Sequence, residues 1–363
     1  MRVSIDAING SEQVRGPDRY LIGILEGLQQ CGGNVEYVVF YAYWQSFFEA
    51  LHLPDNFRFV RCTPPRHQIL RVLWHIFVFP HLVKREYPDV VHLPNIIFIP
   101  FLSAPVVMTV HDVAHFRFPE KFGYFRGYTQ RLLIRGAMAL ADAIIAVSEY
   151  TRQELHTHLG YPVKKVSVIG EGGPTPVDPP KTSQGPRYFL YVGQLERSKN
   201  IETLIDAFAE STLFADQGVE LWIVGKAGNA ATQIAQRIAT LGQGRIKHLG
   251  YVGDAELPAL YANALAFVFP SLVEGFGLVL LEAMAYGAPV IASDASAIPE
   301  VVGEAALLVN ARDAHALQGA MERLCGDAGL RASLVVRGRQ RLQTFSWEAA
   351  ARQTLALYQE ACR

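Results

Sequence analysis

Pro270-Ser-Leu-Val-Glu274-Gly-Phe-Gly277-Leu-Val-Leu-Leu-Glu282-Ala-Met-Ala-Tyr-Gly287-Ala-Pro-Val-Ile-Ala-Ser293 is the stretch whose reading decides the fold. Apolar Val268-Phe269 precedes it and Val290-Ile291 closes it, both reading as short buried strands. Between them lie two glycines and then a run of good helix formers. A strand therefore leads through a glycine turn into a helix and on to another strand. Such a crossover belongs to an open parallel sheet, which binds ligands at the carboxyl ends of its strands. Two residues eight apart on one helix would sit about 80° out of phase and about 12 Å apart. A helix that begins near Phe276 or Gly277 instead leaves Glu274 in the turn and puts Glu282 in the second turn. The two carboxylates can then grip separate parts of one long ligand, with an anionic group near the helix N-terminus between them.

The same alternation extends in both directions. Before residue 174 the strand candidates are Arg2 to Ile5, Glu36 to Tyr41, Val90 to His92, Val106 to Val110, Ala143 to Val147 and Lys165 to Ile169. After residue 186 they are Tyr188 to Val192, Glu220 to Val224, Ile246 to Leu249, Ala266 to Phe269, Pro289 to Ile291 and Ala306 to Val309. Residues 174–186 contain five prolines and read as a linker. The expected architecture is α/β, with two doubly wound Rossmann-like domains, 1–173 and 187–345, facing across a cleft. A last helix, 346–363, is capped by Ser346.

Composition narrows the function classes. The chain has 363 residues and a formal net charge of −1, so nothing favours a nucleic-acid partner. Up to Pro186 there are 18 Lys+Arg against 16 Asp+Glu, and the remainder has 15 against 18. That small asymmetry would suit a first half facing anionic lipid or phosphate. The four cysteines are scattered without CxxC, as expected of free thiols in a reducing compartment. No secretory signal opens the sequence and no apolar run reaches the about 18 residues of a membrane span. The expected location is cytoplasmic, with peripheral contact to the inner face of a membrane. Ile69, Val72, Leu73, Ile76 and Phe77 repeat at helical spacing with Arg66, Arg71, Lys84 and Arg85 around them. The pattern fits a membrane-docking helix with Trp74 at the interface. It also fits a buried core helix, the ordinary reading of such a stripe.

The first strand is not followed by G-x-G-x-x-G, and there is no Walker loop, nucleophile elbow or metal-ligand cluster. What remains is coherent. Gly193-Gln-Leu-Glu-Arg197-Ser-Lys199-Asn200 follows the first strand of the second domain, so Arg197 and Lys199 hang over its carboxyl end. His111 ends an apolar strand in the first domain, where it can donate to a ligand or exchange protons with it. Gly16, near the start of the first long helix, permits close backbone approach.

These segments resemble the retaining, nucleotide-sugar-dependent glycosyltransferases of family 4, also called group 1, with the GT-B fold. Glu274 to Gly287 is similar to the family's E-x7-E segment, and Gly193 to Asn200 to its diphosphate loop. Thr109-Val-His111-Asp112, Ala146-Val-Ser148-Glu149-Tyr-Thr151, Ser296-Ala-Ile-Pro-Glu300 and Phe345-Ser-Trp347 also fit. The likeness is tightest to bacterial mannosyl- and rhamnosyltransferases of polysaccharide assembly. It implies that the C-terminal helix crosses back to the first domain. Glu282 would hold the ribose hydroxyls, and Glu274 the donor-sugar hydroxyls, with Gly275 and the backbone N–H groups of Phe276 and Gly277 beside it. Gly193, Arg197 and Lys199 would serve the diphosphate, His111 the reacting sugar, and Gly16 the approach of the first-domain loop. The family often has arginine after the loop glycine; Gln194 stands there in this chain and leaves the leaving group with one cation fewer.

The resemblance further implies retained anomeric configuration, no cofactor beyond the nucleotide-sugar substrate, no metal, and a glycan or lipid-linked acceptor. With no first-domain carboxylate placed as a nucleophile, front-face substitution is the expected course. GDP-mannose is the expected donor. The alternatives are dTDP-rhamnose or a UDP-sugar, a nucleotide-sugar 2-epimerase, or a non-catalytic sugar-nucleotide-binding protein.

Overall fold

The chain divides into two units, one of Met1–Gly172 with Ser346–Arg363 and the other of Gly173–Phe345. The structure is a computed structural model that describes residues 1–9, 11–14, 16–113, 124–162, 165–177 and 185–363, without the side chains of 124–130. Of the proline-rich stretch expected as a linker, 178–184 lie outside the described residues. Its beginning belongs to the second unit, where the Val177 N–H donates to the Ala285 carbonyl at 3.2 Å.

The first unit runs β1 (Arg2–Asp6), α1 (Gly16–Cys31), β2 (Glu36–Ala42), β3 (Phe57–Cys62), α2 (Gln68–Phe77), α3 (Phe79–Lys84), β4 (Val90–Leu93), β5 (Val106–Val110), α4 (Tyr124–Leu140), β6 (Ala143–Ala146), α5 (Glu149–Leu159) and β7 (Val166–Val168). Its seven strands are all parallel in the order β3-β2-β1-β4-β5-β6-β7. The five inner strands are mostly apolar and buried on both faces, as a sheet covered by crossover helices requires. The sequence reading missed β3. Phe57-Arg-Phe-Val-Arg-Cys62 mixes apolar and charged residues because it is an edge strand, open on one side.

The second unit runs β8 (Tyr188–Val192), α6 (Ile201–Ala209), α7 (Thr212–Asp216), β9 (Glu220–Val224), α8 (Ala231–Leu241), β10 (Ile246–Gly250), α9 (Leu257–Asn263), β11 (Ala266–Phe269), α10 (Leu278–Ala285), β12 (Val290–Ser293), α11 (Ile298–Val302), β13 (Ala306–Val309), α12 (Ala314–Gly326) and α13 (Ala328–Leu342). Its sheet is parallel in the order β10-β9-β8-β11-β12-β13, the doubly wound dinucleotide-fold order.

The final helix, α14 (Trp347–Ala361), packs on α1 in the first unit. Ser346 caps it, its Oγ accepting the Ala349 N–H at 3.3 Å. The contact is close because α1 presents Gly23 and Gly27. A Cβ on Gly27 would stand 2.3 Å from the Trp347 carbonyl oxygen, and one on Gly23 would stand 2.2 Å from the Trp347 ring. Gly172 gives way to the same residue, with its Cβ position 2.4 Å from the Trp347 nitrogen.

Helix α2 overturns the core reading of the Ile69–Phe77 stripe. Ile69, Leu70, Val72, Leu73 and Phe77 are exposed, and His75 is the buried residue of the helix. Trp74, expected at an outer interface, packs instead against the first unit's core near Phe79. His75 Nε2 lies 3.4 Å from Asp6 Oδ2, an ion-pair distance, while its Nδ1 is 3.0 Å from the Arg71 carbonyl. Burial pushes the His75 imidazolium down, but the Asp6 carboxylate and the Arg71 carbonyl outweigh it, and the net direction is up.

Two outcomes follow for the first unit. Gly27→Ala overpacks the α1–α14 contact and costs about 1–3 kcal/mol, read as a lower denaturation midpoint by tryptophan fluorescence. Gly33→Ala, with open space around its Cβ position, leaves that midpoint in place. Because His75 titrates higher when folded, its stabilisation is complete below its unfolded value of about 6.5 and is lost as pH rises through the folded value. The melting temperature of the wild type therefore falls over that window, and His75→Gln flattens the fall.

Candidate functional site

In the second sheet the strand order reverses between β8 and β11, which pair with Phe189 opposite Ala266 and Leu190 opposite Phe267. The loops leaving the carboxyl ends of these two strands are Gly193–Asn200 and Pro270–Gly277, the segments singled out from the sequence. Doubly wound sheets bind their ligands at this reversal.

Backbone and side-chain bonds stitch the two loops together. The Leu272 N–H and the Ser271 hydroxyl both donate to the Ser198 carbonyl, at 2.8 and 3.1 Å. Asn200, left-handed at φ 57°, donates its Nδ2 to the carbonyls of Pro270 at 3.1 Å and Ala311 at 2.5 Å. Asparagine tolerates that conformation better than most side chains, and Thr203 holds its amide oxygen at 2.7 Å. Across the stitched loops Lys199 Nζ donates to Glu274 Oε1 at 2.6 Å. The pair is shielded, with 22% and 12% side-chain exposure, and the ammonium lies 5.7 Å from the Phe269 ring centre.

Glu274 is fixed from its other side as well. Its N–H donates to Ser296 Oγ at 2.9 Å, and the Ala297 N–H donates back to the Glu274 carbonyl at 3.4 Å. Ser296 belongs to a segment quoted from the sequence without a role; the fold gives it one, which no local pattern shows. Beneath the loops Tyr191 is buried. Burial, then the charges of Glu274 and Glu196, push its phenol well above the ordinary value, so it stays neutral.

Gly277 caps α10 at φ 108°, a conformation that glycine alone adopts readily. The helix starts at Leu278, so Glu274 is in the turn and Glu282 in the second turn, as the sequence reading placed them. Gly275 and Phe276 lie in the same turn, and the Phe276 ring is buried edge-on against Phe345, 5.6 Å between centres. Glu282 is 7% exposed and accepts the Tyr261 hydroxyl at 3.4 Å.

The Gly193 loop runs beside the segment after β9. Gly193 and Leu195 donate their N–H groups to the carbonyls of Val224 and Lys226, at 2.9 and 3.0 Å. Gly225 makes the passage possible, since a Cβ there would stand 1.9 Å from the Gly193 carbonyl oxygen. The Arg197 N–H donates to Asn229 at 2.9 Å and its side chain is exposed. Gln194 is exposed too, its amide 3.4 Å from the Ala227 carbonyl.

His111 and Gly16 belong to the first unit. The His111 Nδ1 is 3.1 Å from Glu171 Oε1, and its Nε2 is 2.9 Å from the Pro94 carbonyl. Both partners are acceptors when the carboxylate is ionised, so a ring with one N–H donates to only one of them and a ring with two donates to both. The edge of Tyr20 packs on it, centres 4.7 Å apart and planes at 84°. Glu171 was not found from the sequence, being 60 residues away from its partner. Gly16 opens the helix that carries Tyr20. A Cβ there would meet nothing within 4 Å, so the glycine leaves open space in this state rather than relieving a clash. Among the described residues no three His, Cys, Asp or Glu side chains gather to hold a metal.

The family described as Glycosyl transferases group 1 matches residues 177–341, and Glycosyltransferase Family 4 matches residues 14–175. An Escherichia coli protein described as O-antigen chain mannosyltransferase B is 32% identical over 291 residues, 76% of this chain and 75% of that one. An MMP alpha-(1->4)-mannosyltransferase of Mycolicibacterium hassiacum is 31% identical over 276 residues, 72% of this chain and 66% of that one. Among solved structures, sucrose-phosphate synthase from Thermosynechococcus elongatus superposes with a TM-score of 0.78 at 22% identity, covering 99% of this chain and 98% of that one, which shows the shared fold. The two doubly wound units, the loops stitched at the sheet reversal and these matches together establish that the chain belongs to the group 1 glycosyltransferases.

Proposed function

We propose that the chain is a retaining, metal-independent hexosyltransferase of bacterial polysaccharide assembly. It moves a sugar, first candidate mannose from GDP-mannose, onto a glycan or lipid-linked saccharide, and works on the cytoplasmic side of the membrane. The mannosyltransferase relatives support the choice of sugar. The observation that carries the reading is the Lys199–Glu274 pair at the sheet reversal.

An ammonium has three donors and a carboxylate about four acceptor positions. The pair can therefore stay joined while Lys199 donates a second bond to the diphosphate and Glu274 accepts from sugar hydroxyls. One contact would thus fix the leaving group relative to the sugar, which is the positioning that a transfer needs. The N–H groups at the start of α10 add partial positive charge toward the phosphates. Glu282 accepts the ribose hydroxyls, with the Tyr261 hydroxyl steadying its carboxylate at 3.4 Å. Arg197, whose side chain is exposed, supplies the cation that Gln194 does not.

In the reaction the bond from the anomeric carbon to the diphosphate oxygen breaks, and the electron pair leaves with the phosphate. The acceptor oxygen bonds to the same face of the carbon, and its proton passes to the departing phosphate. Positive charge develops on the sugar and negative charge on the phosphate; Lys199 and the helix N-terminus stabilise the latter. His111, with Glu171 and the Pro94 carbonyl at its two ring nitrogens, is the first-unit candidate for the reacting sugar. The epimerase alternative needs acid and base carboxylates at the sugar and draws no support from this arrangement.

Removing one preorganised donor typically costs about 10²–10³ in rate, and Lys199→Ala should lower kcat/KM by that order. Full activity in that variant would sink the phosphate role. The donor test is transfer from a panel of GDP-mannose, dTDP-rhamnose and UDP-sugars, with and without EDTA. Turnover is expected with GDP-mannose and unchanged by chelation; transfer from another donor replaces the sugar assignment, and loss on chelation overturns the metal-free mechanism.

A further inference from the structure

Helix α2 is inside out. Its half-buried and buried residues are Arg71, Trp74, His75 and Ile76, whereas Ile69, Leu70, Val72, Leu73 and Phe77 face outward. At 100° per residue the outward five span about 160° of the helix with no polar residue among them. Exposure reaches 66% at Ile69 and 59% at Phe77. The patch continues into Val78 and into Phe101, whose ring centre is 6.4 Å from that of Phe77. An exposed apolar patch of this kind marks an interaction surface.

The charge around it identifies the partner. From Phe57 to Arg85 the sequence has six basic residues, Arg58, Arg61, Arg66, Arg71, Lys84 and Arg85, and no Asp or Glu. Elsewhere the chain is net acidic, since the whole carries −1. Arg58, Arg61 and Arg66 reach acidic partners outside this segment, Glu86, Glu49 and Glu12. Lys84 and Arg85, one helix beyond the apolar face, are exposed. A second copy of the chain is a poor occupant, because a two-fold contact would set the same basic segment against itself. An anionic bilayer meets both features at once, taking apolar side chains among its acyl chains and basic ones among its headgroups. No helix of the described residues is long and apolar enough to cross a membrane, so the contact is one of lying on the surface.

The geometry points to helix α2 as a docking surface for anionic lipid, with Ile69, Leu70, Val72, Leu73 and Phe77 inserted and Lys84 and Arg85 at the headgroups. Trp74 and His75 then act as the anchor on the protein side, through Phe79 and Asp6. This inference stands apart from the choice of donor, and its test needs no turnover.

The full-length chain is centrifuged with vesicles of phosphatidylcholine alone and of phosphatidylcholine with phosphatidylglycerol. The wild type should partition at least tenfold better onto the anionic vesicles. Leu73→Glu with Phe77→Glu should lose at least tenfold while keeping its melting temperature, and Val336→Glu, at an exposed apolar position of the second unit, should lose nothing. Leu70→Trp should bind at least as well as the wild type, its added fluorescence being quenched by brominated lipid. That variant keeps the inference testable if the double variant fails to fold. Partition indifferent to anionic lipid, a double variant that binds like the wild type, or an unquenched tryptophan would overturn the proposal. So would a wild-type dimer that the double variant dissociates, because the face would then belong to a second copy.

Discussion

The contact between Lys199 and Glu274 ties together the two loops at the reversal of the second sheet. Each loop leaves a different central strand, and the two diverge into different helices. Left to themselves they would carry a cation and a carboxylate on separate mobile turns. Asn200, Ser198 and Ser271 bind the backbones to each other, and the ion pair then closes over them at 2.6 Å. Shielding from water strengthens the attraction between the two charges and makes either one costly to leave alone. A ligand that satisfies both is favoured over one that satisfies either. A sugar bonded to a diphosphate has hydroxyls and phosphate oxygens at adjacent positions, which suits this pair.

The two sheets were legible because buried parallel strands are short, β-branched and separated by helix-length intervals. The glycine turn and the start of α10 were legible for a local reason: Gly277 must be left-handed, and the helix formers follow it at once. Strand β3 escaped because an edge strand need not be apolar on both faces, and Arg58 and Arg61 break the run. The direction of α2 escaped for a different reason. Periodicity says that a helix has one apolar face but not whether that face looks in or out. The deciding residues are His75, which finds Asp6 on β1, and Trp74, which finds Phe79. Ser296 and Glu171 escaped because each acts on a partner that is distant in sequence, 22 and 60 residues away.

The C-terminal helix shows how tightly such distant pairings are specified. Trp347 is admitted only because Gly23, Gly27 and Gly172 carry no side chain; Gly23 and Gly172 meet its indole and Gly27 its backbone carbonyl, which leaves little freedom in where α14 can lie. The last residues of the chain are thereby part of the first unit's core. Ala351, Thr354, Leu357 and Tyr358 are buried along that contact.

That position reaches the histidine. Tyr358 lies 2.7 Å from His92 Nδ1, His92 Nε2 is 2.9 Å from the Thr109 hydroxyl, and Thr109 is 3.0 Å from the Tyr20 hydroxyl. Burial first, and then the nearby His111, push His92 down to about 3, so it is neutral and has one donor and one acceptor nitrogen. The bonds can therefore run in one sense only at a time, from Tyr358 toward Tyr20 or back. Either sense locks all four side chains, since an unpaired member would be a polar group stranded in the core. Tyr20 at the end of this chain is the ring whose edge rests on His111. Glu171 and the Pro94 carbonyl lie at the two His111 ring nitrogens, and the locked Tyr20 limits how the imidazole can tilt. The placement of the histidine thus depends on a helix that begins more than two hundred residues after it in the sequence.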